Sequence, residues 1–205
     1  MARSSSRGAR RASRAICVVA SFALTLGAAF SSARAYDASA QNKALLILRI
    51  LSYDHNLRMR AGERVTVLVL HHPYDESSLR TREELVGSLK KMQRVKVSGL
   101  SIAVVSMSYS DSRGLESRIA QTRPAAVFVC PGLDGDLGSI SAITRRASAL
   151  TITTSEPDVR RGLSVAIVRR DGKDRIIINV PAARAEGARF DAGLLQLATL
   201  VGGTR

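Results

Sequence analysis

The stretch RVTVLVLHHPYDESS, residues 64–78, joins an almost wholly apolar run to a cluster of polar and ionisable side chains. An apolar run of this length, without the alternation of a half-exposed strand, is typical of a β-strand that is covered on both faces. Such strands belong to parallel sheets that lie between two layers of helices. The polar residues that follow His71 would then lie at the carboxyl edge of the sheet, where ligands bind in open α/β folds.

The chain on both sides of this strand alternates between apolar runs and segments with helical periodicity. NKALLILRILSY, residues 42–53, predicts a largely buried first helix, and residues 78–92 predict a second helix with Thr81 and Glu84 as its capping box. Further strands are predicted at residues 100–109, 125–130 and 149–154, with helices at residues 115–123 and 138–148 between them. This alternation, with short connections, predicts a mostly parallel sheet.

The pattern changes after residue 162. LSVAIVRRDGKDRIIINV, residues 163–180, predicts two strands joined by a turn at Asp171 and Gly172, which is an antiparallel hairpin. A short helix over residues 181–187 and a final helix over residues 192–201, capped by Asp191, complete the chain. The predicted fold class is α/β, with three layers, a mostly parallel sheet, a C-terminal antiparallel hairpin and helices on both faces.

The first 35 residues predict a secretory signal peptide. Five arginines precede an uncharged apolar segment at residues 15–30, and Ala33-Arg34-Ala35 then forms an A-x-A processing site. Cleavage is expected between Ala35 and Tyr36, which leaves residues 36–205 as a single α/β domain in the periplasm. The alternative is an uncleaved membrane anchor, but the apolar segment is shorter than the roughly 20 residues that span a bilayer. We expect no stable membrane insertion after processing, because no other segment of the sequence is long and apolar enough to cross a membrane.

Processing also changes the charge of the chain and its cysteine content. Loss of the six arginines in residues 1–35 would lower the formal net charge from +14 to +8. Export argues against nucleic acid as the partner of this positively charged chain. The positive charge is then explained by a solvated basic surface, by binding to an anionic membrane surface or by binding to an acidic protein. Only Cys130 remains after cleavage, as a buried thiol or as a bridge to a second copy of the chain.

Two polar segments are candidates for chemistry. HHPYDESS, residues 71–78, is interpreted as a polar loop, with His72 and Asp75 as candidate contacts of a small ligand or partner. A metal site is the weaker interpretation, because adjacent histidines on an extended segment point to opposite faces and would not easily bind the same metal ion. CPGLDGDLGS, residues 130–139, is interpreted as a flexible loop, with phosphate or calcium binding as weaker alternatives. Neither segment predicts a catalytic residue, a metal site or a cofactor.

The C-terminal residues also carry a family resemblance. IIINVPAARAEGARFDAGLLQLATLV, residues 176–201, resembles the closing segment of the YfiR-like periplasmic protein family (DUF4154), and NKALLILRILSYDHNL, residues 42–57, resembles its opening helix. The matching residues of the closing segment are Ile178, Asn179, Ala182, Ala183, Arg184, Leu194, Leu195, Leu197 and Ala198. Family members often carry several disulfide-forming cysteines and a Trp-Pro pair after the opening helix; this chain has neither.

The resemblance implies a regulator and not an enzyme, because the best understood relative represses an inner-membrane diguanylate cyclase and thereby controls cyclic di-GMP. We therefore expect a non-catalytic binding protein that contacts the periplasmic part of an inner-membrane signalling protein, with a homodimer as a further possibility. The candidate contacts are Asn179 and Arg184, together with Leu195 and Leu200 on the wide apolar arc of the final helix. The alternative is a periplasmic solute-binding protein related to half of a transporter receptor.

Overall fold

A computed structural model describes residues 39–202 and contains a seven-stranded sheet with the order β2-β1-β3-β4-β5-β6-β7. The strands are β1 (Arg64–His71), β2 (Ser101–Ser108), β3 (Ala126–Val129), β4 (Leu150–Thr153), β5 (Val165–Arg170), β6 (Lys173–Asn179) and β7 (Thr199–Val201). The predicted signal peptide, with its cleavage site at Ala35 and Tyr36, lies outside the described residues.

The described part of the chain contains eight helices, two of which precede β1. They are α1 (39–52), α2 (Leu57–Ala61), α3 (Glu76–Lys91), α4 (Ser112–Thr122), α5 (Leu137–Arg146), α6 (Glu156–Arg160), α7 (Val180–Ala185) and α8 (Ala192–Leu197). The short helices α2 and α6 were not predicted, because five residues are too few to show a helical period.

The strand directions confirm the predicted fold class. Strands β1 to β5 are parallel, whereas β6 is antiparallel to β5. Asp171 and Gly172 form the predicted two-residue turn, with φ angles of 51° and 72°. Positive φ at both positions is the geometry of a type I′ turn, whose twist matches that of the flanking strands.

Alternate residues of β1 pack into two separate hydrophobic cores, as expected for a strand that is covered on both faces. Val65, Val67 and Val69 pack with α1, α3, α7 and α8 on one face of the sheet. Leu68 and Leu70 pack with α4 and α5 on the other face. The sheet therefore lies between two layers of helices, as the uninterrupted apolar run predicted.

The predicted capping box of the second helix is wrong. Helix α3 begins at Glu76, and its N-cap is Asp75, whose side chain accepts a hydrogen bond from the Ser78 backbone N–H. Asp75 lies immediately after the extended residues that leave β1, so it can satisfy the first free N–H groups more than a turn before Thr81.

The predicted final helix is also too long. Helix α8 ends at Leu197, and residues 199–201 form strand β7, which pairs in parallel with β6. Leu200 therefore lies on a sheet edge and not on a helix face. The reason is tertiary, because β6 offers unpaired backbone groups along its outer side, and Thr199 and Val201 are β-branched residues that suit a strand.

Candidate functional site

The two polar segments singled out in the sequence meet at the carboxyl edge of the sheet. The strand order reverses there, because the chain passes from β1 to β2 on one side and then to β3 on the other. Gly132, in the loop after β3, has a φ of 83°, and a Cβ atom at this position would lie 3.0 Å from Cγ of Asp75. Such a switch point is where open α/β sheets bind ligands, and here it holds two loops in close contact.

The loop after β1 is ordered by hydrogen bonds between its own residues. Nδ1 of His72 accepts hydrogen bonds from the backbone N–H groups of Tyr74 and Asp75, at 3.2 Å and 3.0 Å. The Ser77 hydroxyl and the Ser78 N–H hold the pKa of Asp75 below its ordinary value. Both predicted contact residues therefore have structural partners. Tyr74, in contrast, is 88% exposed at the tip of the loop.

His71 and Arg82 lie close together, partly buried, at the carboxyl edge of the sheet. Nδ1 of His71 and Nε of Arg82 are buried and have no hydrogen-bond partner among residues 39–202. Burial, and then the positive charge of Arg82, hold the pKa of His71 below its ordinary value, so its imidazole is neutral at pH 7. Buried polar atoms without a partner are costly, which marks this part of the edge as a place where a small polar ligand would supply missing hydrogen bonds.

Cys130 directly follows β3 as a buried free thiol, with 1% of its surface exposed. Burial raises its pKa to about 12, even though the charges of Lys43 and Arg82 act in the opposite direction. A thiol that is neither accessible nor ionised reacts slowly with disulfides. The structure therefore favours the buried thiol over the bridge to a second copy.

No group of three or more His, Cys, Asp or Glu side chains within residues 39–202 is placed to hold a metal ion. His55, the third histidine, lies with Asp191 beside a hollow of about 430 Å³ that also includes Ser98, which precedes β2. Its Nε2 is 3.5 Å from Asp191 Oδ2. The hollow is therefore at the amino edge, and the structure does not bring His55 to the loops after β1 and β3.

Asn179 and Arg184, the residues that the resemblance highlights, lie at the amino edge of the parallel strands. The side chain of Asn179 accepts a hydrogen bond from the Ala182 N–H and donates one to the carbonyl of Val159, so it fixes the turn from β6 into α7. Arg184 is exposed in the last turn of α7. These residues therefore do not share a site with His72 and Asp75.

Asp54 and Glu186 are buried carboxylates that were missed in the sequence. Asp54 accepts hydrogen bonds from the backbone of Asn56 and Arg189 and forms an ion pair with the buried Arg60. Glu186 is fully buried and accepts hydrogen bonds from three neutral residues, which are Thr144, Thr151 and Ser164. The order Tyr-Asp-x-Asn-Leu was a signal for the first of these, but nothing local distinguishes Glu186 from an exposed helical residue.

The C-terminal segment exposes apolar side chains. Leu197 at the end of α8 is 75% exposed, and Leu200 in β7 is 51% exposed. Leu195 is half-buried and packs against the main core. We call Leu197 and Leu200 the C-terminal apolar pair. Of the two candidate contacts predicted here, Leu200 is accessible and Leu195 is largely part of the core. None of the helices in residues 39–202 is long and apolar enough to cross a membrane.

Comparison with solved structures finds the same fold at low sequence identity. A conserved domain protein from Vibrio cholerae O1 biovar El Tor has a TM-score of 0.57 and 15% identity, covering 78% of this chain and 59% of that chain. An ABC domain in complex with L-Trp from Streptococcus pneumoniae has a TM-score of 0.52 and 12% identity, with 74% and 60% covered. A substrate-binding protein with adhesive properties from Clostridium difficile, in a ligand-free open structure, has a TM-score of 0.51 and 14% identity, with 73% and 58% covered.

This chain thus spans about three fifths of the length of those solved structures, and the likeness concerns the fold alone. No curated protein matches the sequence. The family model described as YfiR/HmsC-like, DUF4154, matches residues 40–199. The match begins in α1 and ends at Thr199, the first residue of β7. On this match, the chain belongs to the YfiR/HmsC-like family.

Proposed function

We propose that this protein is a periplasmic regulatory binding protein, without catalysis of its own, that contacts the periplasmic part of an inner-membrane signalling protein. A diguanylate cyclase or a histidine kinase is the expected kind of partner. The observation that carries the proposal is the family match over residues 40–199, which spans nearly the whole described domain. The resemblance seen in the sequence associates this family with regulation from the periplasm.

The C-terminal apolar pair is the surface that best suits such a contact. Leu197 and Leu200 lie close together in the chain, in the segment where α8 leads into β7, and both are largely exposed. Exposed apolar side chains that lie close together mark interaction surfaces more often than isolated ones do.

Leu197→Glu should therefore weaken partner binding at least about tenfold, which is the loss typical of a central interface residue, while the melting temperature stays unchanged. The measurement is binding to the purified periplasmic domain of an inner-membrane diguanylate cyclase or histidine kinase from the same organism. Met59→Glu is the matched control, because Met59 on α2 is 77% exposed, close to the 75% of Leu197.

Equal binding by the Leu197→Glu and Met59→Glu proteins would contradict the proposed surface. A homodimer formed through the C-terminal apolar pair is the competing explanation for its exposure. Size-exclusion chromatography distinguishes the two, since a dimer that Leu197→Glu converts to a monomer would assign the surface to a second copy.

Small-ligand binding is the second candidate function, and the contact between the loops after β1 and β3 favours it. A ligand that binds there should raise the melting temperature by several degrees once its concentration exceeds its Kd about a hundredfold. The measurement is a thermal-shift screen with amino acids, sugars and nucleotides. Arg82→Met should abolish any shift, and a shift that survives this change would place the ligand elsewhere.

A further inference from the structure

Strand β2 forms an exposed sheet edge that lacks the usual protection. Its only neighbour among the strands of the described chain is β1, and the ladder between them is regular over all eight residues of β2, without a bulge. Its sequence, SIAVVSMS, contains no charged residue and no proline. Natural proteins usually protect an edge of this length with lysines, prolines or bulges, since its free backbone groups can pair with another strand. The opposite edge, β7, has three residues.

The backbone groups in the middle of β2 alternate in direction. The N–H group of Tyr109, just after β2, donates to the carbonyl of His71 in β1. Successive residues of a parallel ladder bond to opposite sides, so Val104 and Ser106 direct their N–H and C=O groups away from β1. Residues 103–107 are all only half-buried, so helices do not fully cover this edge. The edge can therefore accept hydrogen bonds from an added strand.

A positively charged groove lies beside this edge. Residues 106–108 of β2 and four residues of α4, which are Gly114, Ser117, Arg118 and Gln121, line an open groove of about 430 Å³. Arg118 donates a hydrogen bond to Gln121 at 3.0 Å and forms no ion pair within residues 39–202. An acidic side chain in this groove would therefore meet an uncompensated guanidinium group.

The chain around β2 is basic on both sides. Residues 90–123 contain only two acids, Asp111 and Glu116, against seven bases, which are Lys90, Lys91, Arg94, Lys96, Arg113, Arg118 and Arg123. Both acids are already engaged, because Asp111 caps α4 and Glu116 pairs with Arg146. A second copy that paired β2 with β2 would bring two such basic segments together, and like charges of this kind oppose association.

We propose that the edge of β2 binds an extended, acidic segment of a partner protein, which pairs with β2 as an eighth strand. Backbone hydrogen bonds to Val104 and Ser106 would hold the added strand, and its acidic side chains would reach Arg118 in the groove beside α4. Strand addition at a sheet edge is a common mode of peptide recognition, in which main-chain bonds supply affinity and side pockets supply specificity. This site lies on the sheet edge opposite the C-terminal apolar pair and does not depend on it.

The test uses two labelled, end-blocked decapeptides, one alternating Val with Glu and one alternating Val with Lys, with binding measured by fluorescence anisotropy. The Glu peptide should bind and the Lys peptide should not. Val104→Pro should lower the affinity at least about tenfold, because proline removes the outward N–H but leaves the bonds to β1 in place. Arg118→Glu should lower it as well, whereas Arg175→Glu, an equal charge change on the exposed hairpin strand β6, should not.

Several results would overturn the proposal. These are equal binding of the Glu and Lys peptides, no binding of either, or an equal loss in the Arg118→Glu and Arg175→Glu proteins. A concentration-dependent dimer that Val104→Pro dissociates would assign the edge to a second copy instead. Far-UV circular dichroism and the melting temperature identify a Val104→Pro protein that fails to fold, and in that case the comparison of Arg118→Glu with Arg175→Glu decides.

Discussion

Asp54→Ala should lower the free energy of unfolding by about 3–5 kcal/mol, the loss expected when one partner of a buried ion pair is removed. The side chains of Asp54 and Arg60 are 0% and 2% exposed. Without the carboxylate, the Arg60 guanidinium would keep only its bonds to the carbonyls of Ala125 and Ser148. The backbone N–H groups of Asn56 and Arg189 would also lose their acceptor.

The loss should be large because Asp54 connects segments that are far apart in the chain. Through Asp54, the junction of α1 and α2 is bonded to the loop between α7 and α8, and Arg60 extends these contacts to the residues that precede β3 and β4. A domain of ordinary stability, about 5–15 kcal/mol, would lose a substantial part of it. Asp54 and Asn56 of the Tyr-Asp-x-Asn-Leu order at residues 53–57 therefore have structural roles.

Urea unfolding measures this loss in the free energy of unfolding. Far-UV circular dichroism is the suitable signal, because the chain contains no tryptophan for fluorescence. Asp134→Ala is the control, because Asp134 forms an exposed pair with Arg161 at 3.6 Å and should contribute less than about 1 kcal/mol. A loss for Asp54→Ala no larger than that of the control would show that the buried pair contributes little net stability.

Glu186→Ala should lower the free energy of unfolding by about 3 kcal/mol, because it leaves buried donors without an acceptor. The Thr151 N–H donates to the carboxylate at 2.7 Å, and the hydroxyl of Ser164 donates to it as well. The Thr144 hydroxyl would lose least, since it also lies 3.1 Å from the carbonyls of Ile140 and Ser141. Glu186 thus connects the end of α7 to β4 and to the residue before β5.

Glu186→Gln separates the packing of this side chain from its charge. Burial raises the pKa of Glu186 above its ordinary value of 4.5, although the hydrogen bonds from Ser164, Thr151 and Thr144 oppose this shift. A raised pKa in the folded state means that the protonated form is favoured there. The corresponding stability is complete below the unfolded-state pKa and is lost as the pH rises through the folded-state pKa.

We compare the free energy of unfolding of the native protein with that of the Glu186→Gln protein. The native value minus the variant value should decrease as the pH rises above about 4.5 and should then level off. The glutamine retains an acceptor for the Thr151 N–H but cannot ionise. Urea unfolding of both proteins between pH 4 and 8 provides the measurement. A difference that grows with pH would show that the buried carboxylate prefers to be charged in the folded state.

The sequence alone determined most of the fold. The uninterrupted apolar run of β1 predicted a strand with helices on both faces, and its bounds at Arg64 and His71 were correct. The turn at Asp171 and Gly172 was equally clear, since only a few residues tolerate positive φ at both positions. These features depend on local sterics, backbone conformation and side-chain alternation, which a short segment carries by itself.

The tertiary structure decided the features that depend on distant neighbours. Residues 199–201 have a helical pattern but form a strand, because the free edge of β6 satisfies their backbone groups. Glu186 is buried only because Thr144, Thr151 and Ser164 surround it, and none of these lies within twenty residues of it in the chain. The contact between Asp75 and Gly132 arises in the same way, from two strands that are adjacent in the sheet. A pattern within one segment cannot encode which distant groups will surround it, because that choice belongs to the packing of the whole domain.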